Sequence, residues 1–262
     1  MKELARFGTE DMPLHCSGLM ALVRCPWRAV MQYLSEPEDE GGVAGDTGSA
    51  MHKAAAAMHR GKDAAACLET MQGMLHEYPR ADLQDAAAMF LSYATDDRNR
   101  AAEFLLVEEG VAFQIAAAED DPTGAPIQVV GTLDQVRLTG GVPKLWDIKT
   151  SKKDPLLLLR KHQMQLAAYC VGATILLGRT VQPGGVVCPR RYKTSSPSTS
   201  PVFYHASWTF DDVEQILLPV RRIVAEIRRG NLYHTPNEDC DWCAARSPDL
   251  CLPKLKSLKL VI

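Results

Sequence analysis

The segment of residues 131–152, GTLDQVRLTGGVPKLWDIKTSK, constrains the fold of this chain more than any other. Two runs of alternating apolar residues flank Gly140 and Gly141, and adjacent glycines suit the positive φ angles of a two-residue hairpin turn. A hairpin centred on that turn places Asp134 directly opposite Asp147. The pattern therefore predicts two antiparallel strands that carry two carboxylates side by side.

The two facing acids predict a metal site. Directly opposed residues have Cβ atoms about 5 Å apart, where like charges destabilise a sheet unless something neutralises them. Hard Mg²⁺ or Mn²⁺ ions prefer carboxylate oxygens, and Lys149 shares a strand face with Asp147. The alternative is an exposed hairpin in which Lys149 only pairs with Asp147. A slip of one residue in the register would send the two acids to opposite faces.

Helical patterns precede the hairpin. Ser17 is expected to cap a helix kinked at Cys25-Pro26, a second helix is expected from residues 47–49 to Gly61, and residues 64–104 predict further helix. The period then changes to that of strands in FLLVEEGVAFQI, IQVVGTLDQVRL and KLWDIKTS. Helices thus give way to a meander of strands.

A crossover helix and two further strands are expected after the hairpin. Asp154 caps that helix, which ends near Gly178, and GGVVC and VFYHASWTF predict the strands. Asp211 is expected to cap a last long helix that Gly230 stops, and TSSPSTSP at residues 194–201 predicts a flexible loop.

These elements predict one α/β domain over residues 1–262. We expect a mainly helical part over 1–104, a core over 105–210, and a helix with a cysteine-rich tail over 211–262. The chain has no G-x-x-x-x-G-K-[ST] loop, so any ATP-driven work would come from a partner. The segment MKELARFGTE carries charges and has no apolar core, so a secretory signal is not expected, and the longest nearly uncharged run, 166–178, is too short to cross a bilayer. We therefore expect a cytoplasmic protein of a bacterium, or of a phage in an infected bacterium, with no membrane partner.

Three motifs in order resemble one nuclease family. Gly131-Thr-Leu-Asp134 is followed by Asp147-Ile-Lys149-Thr and then by Gln165-Leu-Ala-Ala-Tyr169. Together they resemble the RecB-like branch of the PD-(D/E)xK nuclease superfamily. The resemblance implies a restriction-endonuclease-like core, in which helices flank a mixed central sheet. It also implies metal-dependent hydrolysis of phosphodiester bonds.

The resemblance implies a set of metal ligands. The family places a histidine on a helix after a small-residue turn, which matches Gly48-Ser-Ala-Met-His52. One or two Mg²⁺ or Mn²⁺ ions would then be held by His52, Asp134, Asp147 and the backbone carbonyl of Ile148. A glutamate of the preceding strand fits either Glu108 or Glu109, with solvated strand charges as the alternative for both. His59 matches no motif and is expected to be an ordinary helix residue.

The remaining motif residues are implied to act on substrate. Lys149 would position the attacking water or stabilise developing charge. Gln165 and Tyr169 lie on one helical face because of their spacing, and would hold the substrate strand or the water.

Four cysteines resemble the iron–sulfur ligands of a subset of RecB-like nucleases, the AddB type and the CRISPR-associated exonucleases. Cys240-Asp-Trp-Cys243 is followed by a third cysteine, and Arg24-Cys25-Pro26-Trp-Arg28 resembles the N-terminal element of that subset. The resemblance implies a [4Fe-4S] cluster held by Cys25, Cys240, Cys243 and Cys251. The spacing to Cys251 is longer than in the family, Cys16 is an outside candidate, and structural Zn²⁺ is the alternative metal.

The other cysteines are expected to be buried thiols. A chain without an export signal is expected to stay in a reducing compartment, which argues against a disulfide framework. Cys67, Cys170 and Cys188 have apolar neighbours in the sequence and are expected to pack as small hydrophobic residues.

Charge is unevenly distributed along the chain. The net charge is -3, but residues 63–121 hold 13 acidic against 3 basic residues and residues 144–193 hold 10 basic against 2 acidic. Two solvated faces of one domain would explain the difference. A positive field around the motifs also suits DNA, with phosphates bound by Lys152, Lys153, Arg160, Lys161, Arg190, Arg191 and Lys193. Such binding is salt-dependent and poor in sequence specificity.

The first functional hypothesis is a DNA exonuclease on single strands or duplex ends. It would act in recombination and repair, in phage DNA processing or in CRISPR spacer acquisition, with a helicase, recombinase or CRISPR integrase as possible partner. A DNA-binding adaptor docking on a helicase or integrase is the second hypothesis. A zinc-stapled structural module is the third, and it explains the cysteines but not the hairpin.

Overall fold

Helices flank a mixed sheet in the computed structural model, which describes residues 4–34, 42–151, 153–189, 201–237, 240 and 243. Over these residues the helices are α1 (Leu19–Arg24), α2 (Pro26–Leu34), α3 (Val43–His59), α4 (Ala64–Met74), α5 (Arg80–Ala94), α6 (Asp97–Arg100), α7 (Pro155–Lys161), α8 (Gln163–Leu177) and α9 (Val213–Arg228). The strands are β1 (Leu14–His15), β2 (Glu103–Ile115), β3 (Ile127–Thr139), β4 (Val142–Ile148), β5 (Gln182–Cys188) and β6 (Val202–His205). This arrangement confirms the expected α/β, restriction-endonuclease-like fold class.

The chain divides into two compact units, each built from segments that are distant in sequence. The first unit comprises Met1–Glu38, Ala112–Val130 and Glu214–Ile262, and the second comprises Asp39–Val111 and Gly131–Val213. The acidic hairpin and the nuclease-like motifs all lie in the second unit. Cys25, Cys240 and Cys243 belong to the first.

The hairpin has the expected register. β3 and β4 pair antiparallel from Gln135 opposite Trp146 to Thr139 opposite Val142. Gly140 and Gly141 form the turn with φ values of 58° and 79°, a region that few other residues adopt. Extended by one residue beyond the first pair, this register brings positions 134 and 147 opposite each other. β4 pairs in parallel with β5, and β5 pairs antiparallel with β6.

Helices α3, α4 and α5 form a hydrophobic core in the second unit. Its buried residues include Met51 on α3, Met71 on α4 and Phe90 on α5, together with Trp146 from β4. Ala50, Ala54 and Ala55 on the inner side of α3 are buried in the same core. The expected start of α3 at residues 47–49 is wrong, because the helix begins at Val43 and contains the whole small-residue stretch.

The helix expected over residues 64–104 is interrupted twice, at residues 75–79 between α4 and α5 and at residues 95–96 between α5 and α6. Asp63 accepts hydrogen bonds from Ala65 and Ala66 and begins α4, while Asp96 accepts one from Arg98 and begins α6. Each side chain satisfies N–H groups in the first turn of its helix, which have no carbonyl partner within that helix. Strand β2 then begins at Glu103, one residue before the start of the expected strand FLLVEEGVAFQI.

The crossover helix consists of two helices. Asp154 accepts a hydrogen bond from Leu156 N–H at 2.8 Å, as expected for the cap, and Gly178 ends α8 with φ 62°. Between them His162 leaves helical geometry at φ -105°, ψ 11°, which divides the expected helix into α7 and α8. Most of α8 is buried. A Cβ at Gly172 would lie 2.6 Å from Val111, so glycine lets this helix approach β2 closely.

In the first unit, the expected kink at Cys25-Pro26 is a full break. Cys25 is extended at φ -156°, ψ 96°, because Pro26 begins α2 and disfavours helical geometry in the residue before it. The N-cap of α1 is Gly18, with no side-chain hydrogen bond, so the expected cap by Ser17 is wrong. Arg228 on α9 is buried and donates hydrogen bonds to Phe7 O at 3.0 Å and Ala125 O at 2.6 Å.

The cap before α9 also differs from the expectation. Thr209 N–H donates to Asp212 Oδ2 at 2.8 Å, and a short 3₁₀ turn of Phe210–Asp212 leads into the helix. The cap is therefore Thr209 rather than Asp211. Residues 194–200 of the expected loop lie outside the described residues. Within the described part of the chain, no helix has the length and apolar content needed to cross a membrane.

Candidate active site

Two carboxylates of the hairpin point to one buried spot. Asp134 on β3 is 9% exposed and Asp147 on β4 is 2% exposed. Asp134 Oδ2 accepts a hydrogen bond from the Ile148 N–H at 2.5 Å, which ties the two strands together beside the acids. The side-chain alternation of the paired strands thus places both carboxylates together.

His52 reaches this spot from α3. Its Nδ1 lies 3.0 Å from Asp134 Oδ1 and 3.6 Å from Glu108 Oε1. A Cβ at Gly48 would lie 3.4 Å from Thr150 Oγ1, an ordinary contact distance, so this part of α3 lies beside the end of the hairpin. His52 and Asp134 are therefore brought together as the motif resemblance implied.

Glu108 completes a three-residue group with His52 and Asp134. One potential ligand atom from each of the three lies within 4.8 Å of the others, and no second such group occurs among the described residues. Glu108 has φ 49°, a left-handed conformation uncommon outside glycine, whereas Glu109 is exposed. The sequence contained both glutamates as candidates, and only the backbone of β2 distinguishes them.

Lys149 lies beside Asp147. Its Nζ is 2.8 Å from Asp147 Oδ2, yet that buried oxygen has no hydrogen-bond donor in suitable alignment among the described residues. Buried polar atoms are nearly always satisfied in folded proteins. An ion pair thus holds the lysine while the oxygen keeps a lone pair available.

Each positive charge of the site is stabilised by the carboxylates. Burial alone would lower the pKa of His52, but Asp134 and Glu108 outweigh burial and raise the pKa to about 10. Burial would likewise lower the pKa of Lys149, but Asp147 and Asp134 raise it above its usual value. Burial raises the pKa of Asp134. An imidazolium and an ammonium therefore balance the acids in the metal-free protein.

These groups fit a hard divalent cation. Carboxylate oxygens and one imidazole nitrogen are suitable ligands for Mg²⁺ or Mn²⁺, and Asp147 Oδ2 is a buried oxygen without an aligned donor. Binding through His52 would release the proton that the imidazole carries. The backbone carbonyl of Ile148 remains a predicted ligand.

Gln165 and Tyr169 lie on one face of α8, next to Lys149. Gln165 Oε1 is 3.4 Å from Lys149 Nζ, and Gln165 Nε2 donates to Tyr169 OH at 3.3 Å. His162 Nδ1 lies 2.8 Å from the same Gln165 Oε1. His162 belongs to none of the three motifs, and its only sequence signal is a polar residue one turn before Gln165.

The basic residues expected to bind DNA are only partly described. Lys153 and Arg160 are exposed and Lys161 is half-buried, around and on α7. The other four residues of that set lie outside the described part of the chain: Lys152, Arg190, Arg191 and Lys193.

Residues that precede Cys240 contact the segment around Cys25. Asn237 N–H donates to Cys240 Sγ at 3.2 Å, and Asn237 Nδ2 donates to Arg24 O at 3.4 Å. The Trp27 N–H also donates to Tyr233 O at 3.2 Å. The tail therefore returns to the break between α1 and α2, where Cys25 lies.

The cysteine ligand set is incomplete in the described structure. Cys25, Cys240 and Cys243 are not part of a three-ligand group among the described residues, and Cys251 lies outside them. Cys16 is buried, and burial raises its pKa to about 12, so its thiol is protonated at neutral pH. Cys67, Cys170 and Cys188 are also buried thiols.

The comparisons with known proteins identify the family and the fold. A family model described as the PD-(D/E)XK nuclease superfamily matches residues 14–248. A crystal structure of a "Putative exonuclease" from Eubacterium rectale is similar at a TM-score of 0.61 and 14% identity, covering 95% of this chain and 94% of the other, which shows a shared fold. The structure of SSO0001 has 18% identity over 89% of this chain and 96% of the other, with a TM-score of 0.39 that is too low to support an argument. No curated protein matches the sequence. The chain belongs to the PD-(D/E)XK nuclease superfamily.

Proposed function

We propose that this protein is a metal-dependent deoxyribonuclease that hydrolyses phosphodiester bonds in DNA. The observation that carries the proposal is the convergence of His52, Glu108 and Asp134 on one group of potential ligand atoms, with the ion pair of Asp147 and Lys149 on the same hairpin. A structural module would have no need to bury this charge, because like carboxylates destabilise a fold.

The metal ligands would be His52, Glu108, Asp134 and Asp147, with the carbonyl of Ile148 as a further ligand. A bound Mg²⁺ or Mn²⁺ would lower the pKa of a water molecule and neutralise charge on the phosphate. Asp134 is held in place by the Ile148 N–H, so its second oxygen stays directed toward His52. The protein thus preorganises the ligands before DNA binds.

Lys149 would act as a cation. Because its pKa is raised, the ammonium keeps its proton at neutral pH and is not a general base. Asp147 fixes one side of the ammonium and Gln165 the other. Lys149 would donate to a phosphate oxygen or to the attacking water, and Gln165 and Tyr169 would hold the substrate strand or that water.

DNA would be bound mainly through its phosphates. The positively charged side chains of Lys153 and Arg160, which are exposed, and of Lys161 support this mode of binding. Exonuclease action on single strands or duplex ends is part of the proposal, as is a cytoplasmic role in recombination and repair, phage DNA processing or CRISPR spacer acquisition. A helicase, recombinase or CRISPR integrase would be the protein partner.

We also propose a [4Fe-4S] cluster in the first unit, with structural Zn²⁺ as the alternative. Its ligands would be Cys25, Cys240, Cys243 and Cys251. The return of the tail to the Cys25 break supports this set, since Asn237 contacts both Arg24 and Cys240. Either metal would tie the first helices to the tail.

The test of nuclease function uses end-labelled single-stranded and duplex DNA with Mn²⁺. Wild type should digest the DNA, and Asp134→Ala and Lys149→Ala should not. Closed circular DNA serves as the control, because an exonuclease needs an end. Equal digestion by all three proteins would contradict the catalytic assignment, and DNA binding without cleavage by wild type would favour the adaptor hypothesis.

Anaerobic purification tests the cysteine cofactor. A visible absorption band that Cys25→Ala and Cys240→Ala abolish is expected for the iron–sulfur cluster. A colourless protein with stoichiometric zinc would assign the site to Zn²⁺ instead.

A further inference from the structure

We propose that His162 is a positioning residue of the nuclease site, one that fixes the Gln165 amide against Lys149. The inference rests on the proposed nuclease function and adds a residue that the three motifs do not contain. His162 lies between α7 and α8, where the crossover helix is interrupted, and its side chain is half-buried.

The backbone holds His162 from both sides. Its N–H donates to Leu158 O at 2.9 Å, and its carbonyl accepts from the Leu166 N–H at 2.9 Å. The interruption is therefore a defined junction, which directs the imidazole toward the side chain of Gln165.

Hydrogen-bond chemistry determines the orientation of the Gln165 amide. A lysine ammonium can only donate, so the group of Gln165 that faces Lys149 must be Oε1. His162 Nδ1 lies 2.8 Å from the same oxygen, and an amide oxygen only accepts, so Nδ1 carries a hydrogen. The contact of His162 is shorter than the 3.4 Å contact of Lys149, which makes the histidine the firmer of the two donors.

The fixed oxygen also directs the amide nitrogen. Gln165 Nε2 carries two hydrogens and donates one to Tyr169 OH at 3.3 Å. The second hydrogen is available to a phosphate oxygen or a water. If the amide turned over, its nitrogen would face the Lys149 ammonium, which can only donate, and His162 Nδ1 would have to accept instead. His162 thus sets which way Gln165 and Tyr169 present their donors to substrate.

His162 is suited to this role because it is neutral. Burial, followed by the nearby charge of Lys149, lowers the pKa of His162 to about 4. A neutral ring with hydrogen on Nδ1 donates to Gln165 without adding a second cation beside Lys149.

The first test compares His162→Leu with His162→Asn in the Mn²⁺-dependent DNA assay. Leucine removes the donor, and we expect kcat to fall about tenfold with KM and Mn²⁺ affinity nearly unchanged. Asparagine places an N–H where Nδ1 was and should keep kcat close to wild type. His76→Leu is the matched control, because the His76 side chain is 72% exposed and outside the site.

A double-mutant cycle distinguishes positioning from general destabilisation. If His162 acts through Gln165, then adding His162→Leu to a Gln165→Met variant should reduce kcat little further. Fully additive losses, or equal kcat for His162→Leu and wild type, would overturn the inference.

An NMR measurement tests the hydrogen bond between His162 Nδ1 and Gln165 Oε1 independently of DNA cleavage. The imidazole nitrogen signals of His162, assigned by their loss in His162→Leu, should show hydrogen on Nδ1. Hydrogen on Nε2 instead would refute the positioning contact. An inactive wild type that keeps the Nδ1 signal would refute the nuclease function alone.

Discussion

Two histidines of the same helix have opposite surroundings. On α3, His52 lies among carboxylates, with Asp134 at 3.0 Å and Glu108 at 3.6 Å, and its pKa is raised to about 10. His59 is stacked on Phe104 with ring centroids 3.7 Å apart and shares a hydrogen bond with Tyr93 OH at 2.8 Å. Burial, followed by the charge of Arg137, lowers the pKa of His59 to about 3.

The two faces of the hairpin show the same contrast. One face carries Asp134 and Asp147, and the other carries buried Gln135 and Arg137. Arg137 Nε donates to Gln135 Oε1 at 3.0 Å, and its guanidinium lies 5.2 Å from the centre of the Phe203 ring. Neutral acceptors and aromatic faces satisfy this cation.

The two histidines therefore differ in the charge that their surroundings accept: those of His52 stabilise a positive charge, and those of His59 do not. In the proposed metal site a divalent cation would replace the proton of His52, because the surrounding carboxylate oxygens stabilise either charge. His59 stays neutral, because protonation would add a charge next to Arg137 at a half-buried position. Burial alone therefore does not identify a functional histidine, whereas the charge of its neighbours does.

Replacing each histidine by glutamine is the strongest test of this comparison. His52→Gln should lower Mn²⁺-dependent cleavage by a factor of at least about 100, because a metal ligand and its orientation are lost. His59→Gln should leave cleavage almost unchanged. Similar losses of activity in both variants would remove the distinction between the two histidines.

Stability of the metal-free protein should depend on pH through His59. The folded pKa of about 3 lies below the ordinary value of 6.5, so the unfolded chain takes up a proton that the folded protein refuses. Neutral His59 therefore makes its full contribution to the stability of the folded protein above pH 6.5. As the pH falls from 6.5 toward 3 this contribution is lost, and the equilibrium constant for unfolding rises by up to about tenfold per pH unit.

Urea unfolding in a chelator, followed from pH 7 to pH 4, measures this slope. His59→Gln should flatten it. His52 has the opposite sign, since its raised pKa adds stability below pH 6.5 that is lost as the pH rises through about 10. An unchanged slope in His59→Gln would contradict the neutral state of His59.

Adjacent glutamates sharpen the comparison further. Glu108→Gln should weaken Mn²⁺ binding and cleavage by about tenfold, since Glu108 faces His52. Glu109→Gln is the matched control, because Glu109 is exposed on the same strand. Calorimetric titration with Mn²⁺ measures the effect, and equal affinities in the two variants would exclude Glu108 as a ligand.

The smallest expected effect concerns the surface. Arg160→Ala should weaken DNA binding severalfold and reduce the slope of log K against log salt by about 1, because one phosphate contact is lost. Arg80→Ala, which removes an exposed arginine of α5, should change neither quantity. Fluorescence anisotropy over a salt series measures both, and a slope unchanged in Arg160→Ala would place the DNA elsewhere.

Local chemistry made part of the site predictable. The Gly140-Gly141 turn and the alternation around it sufficed for the register of β3 and β4, and spacing sufficed for the shared face of Gln165 and Tyr169. Caps were less predictable. Asp154 was expected correctly, whereas Thr209 replaced Asp211, because several polar residues near a helix start can satisfy the same N–H groups.

The sequence by itself determined which residues can share a strand face or a helix face, because those periods follow from backbone geometry. Only the tertiary structure decided that Glu108 faces His52 while Glu109 is exposed, that His162 interrupts the crossover helix, and that His52 is charged where His59 is neutral. The physical reason is that desolvation and Coulomb interactions depend on side chains from distant segments. Their distances are established only when α3, β2 and the hairpin pack together.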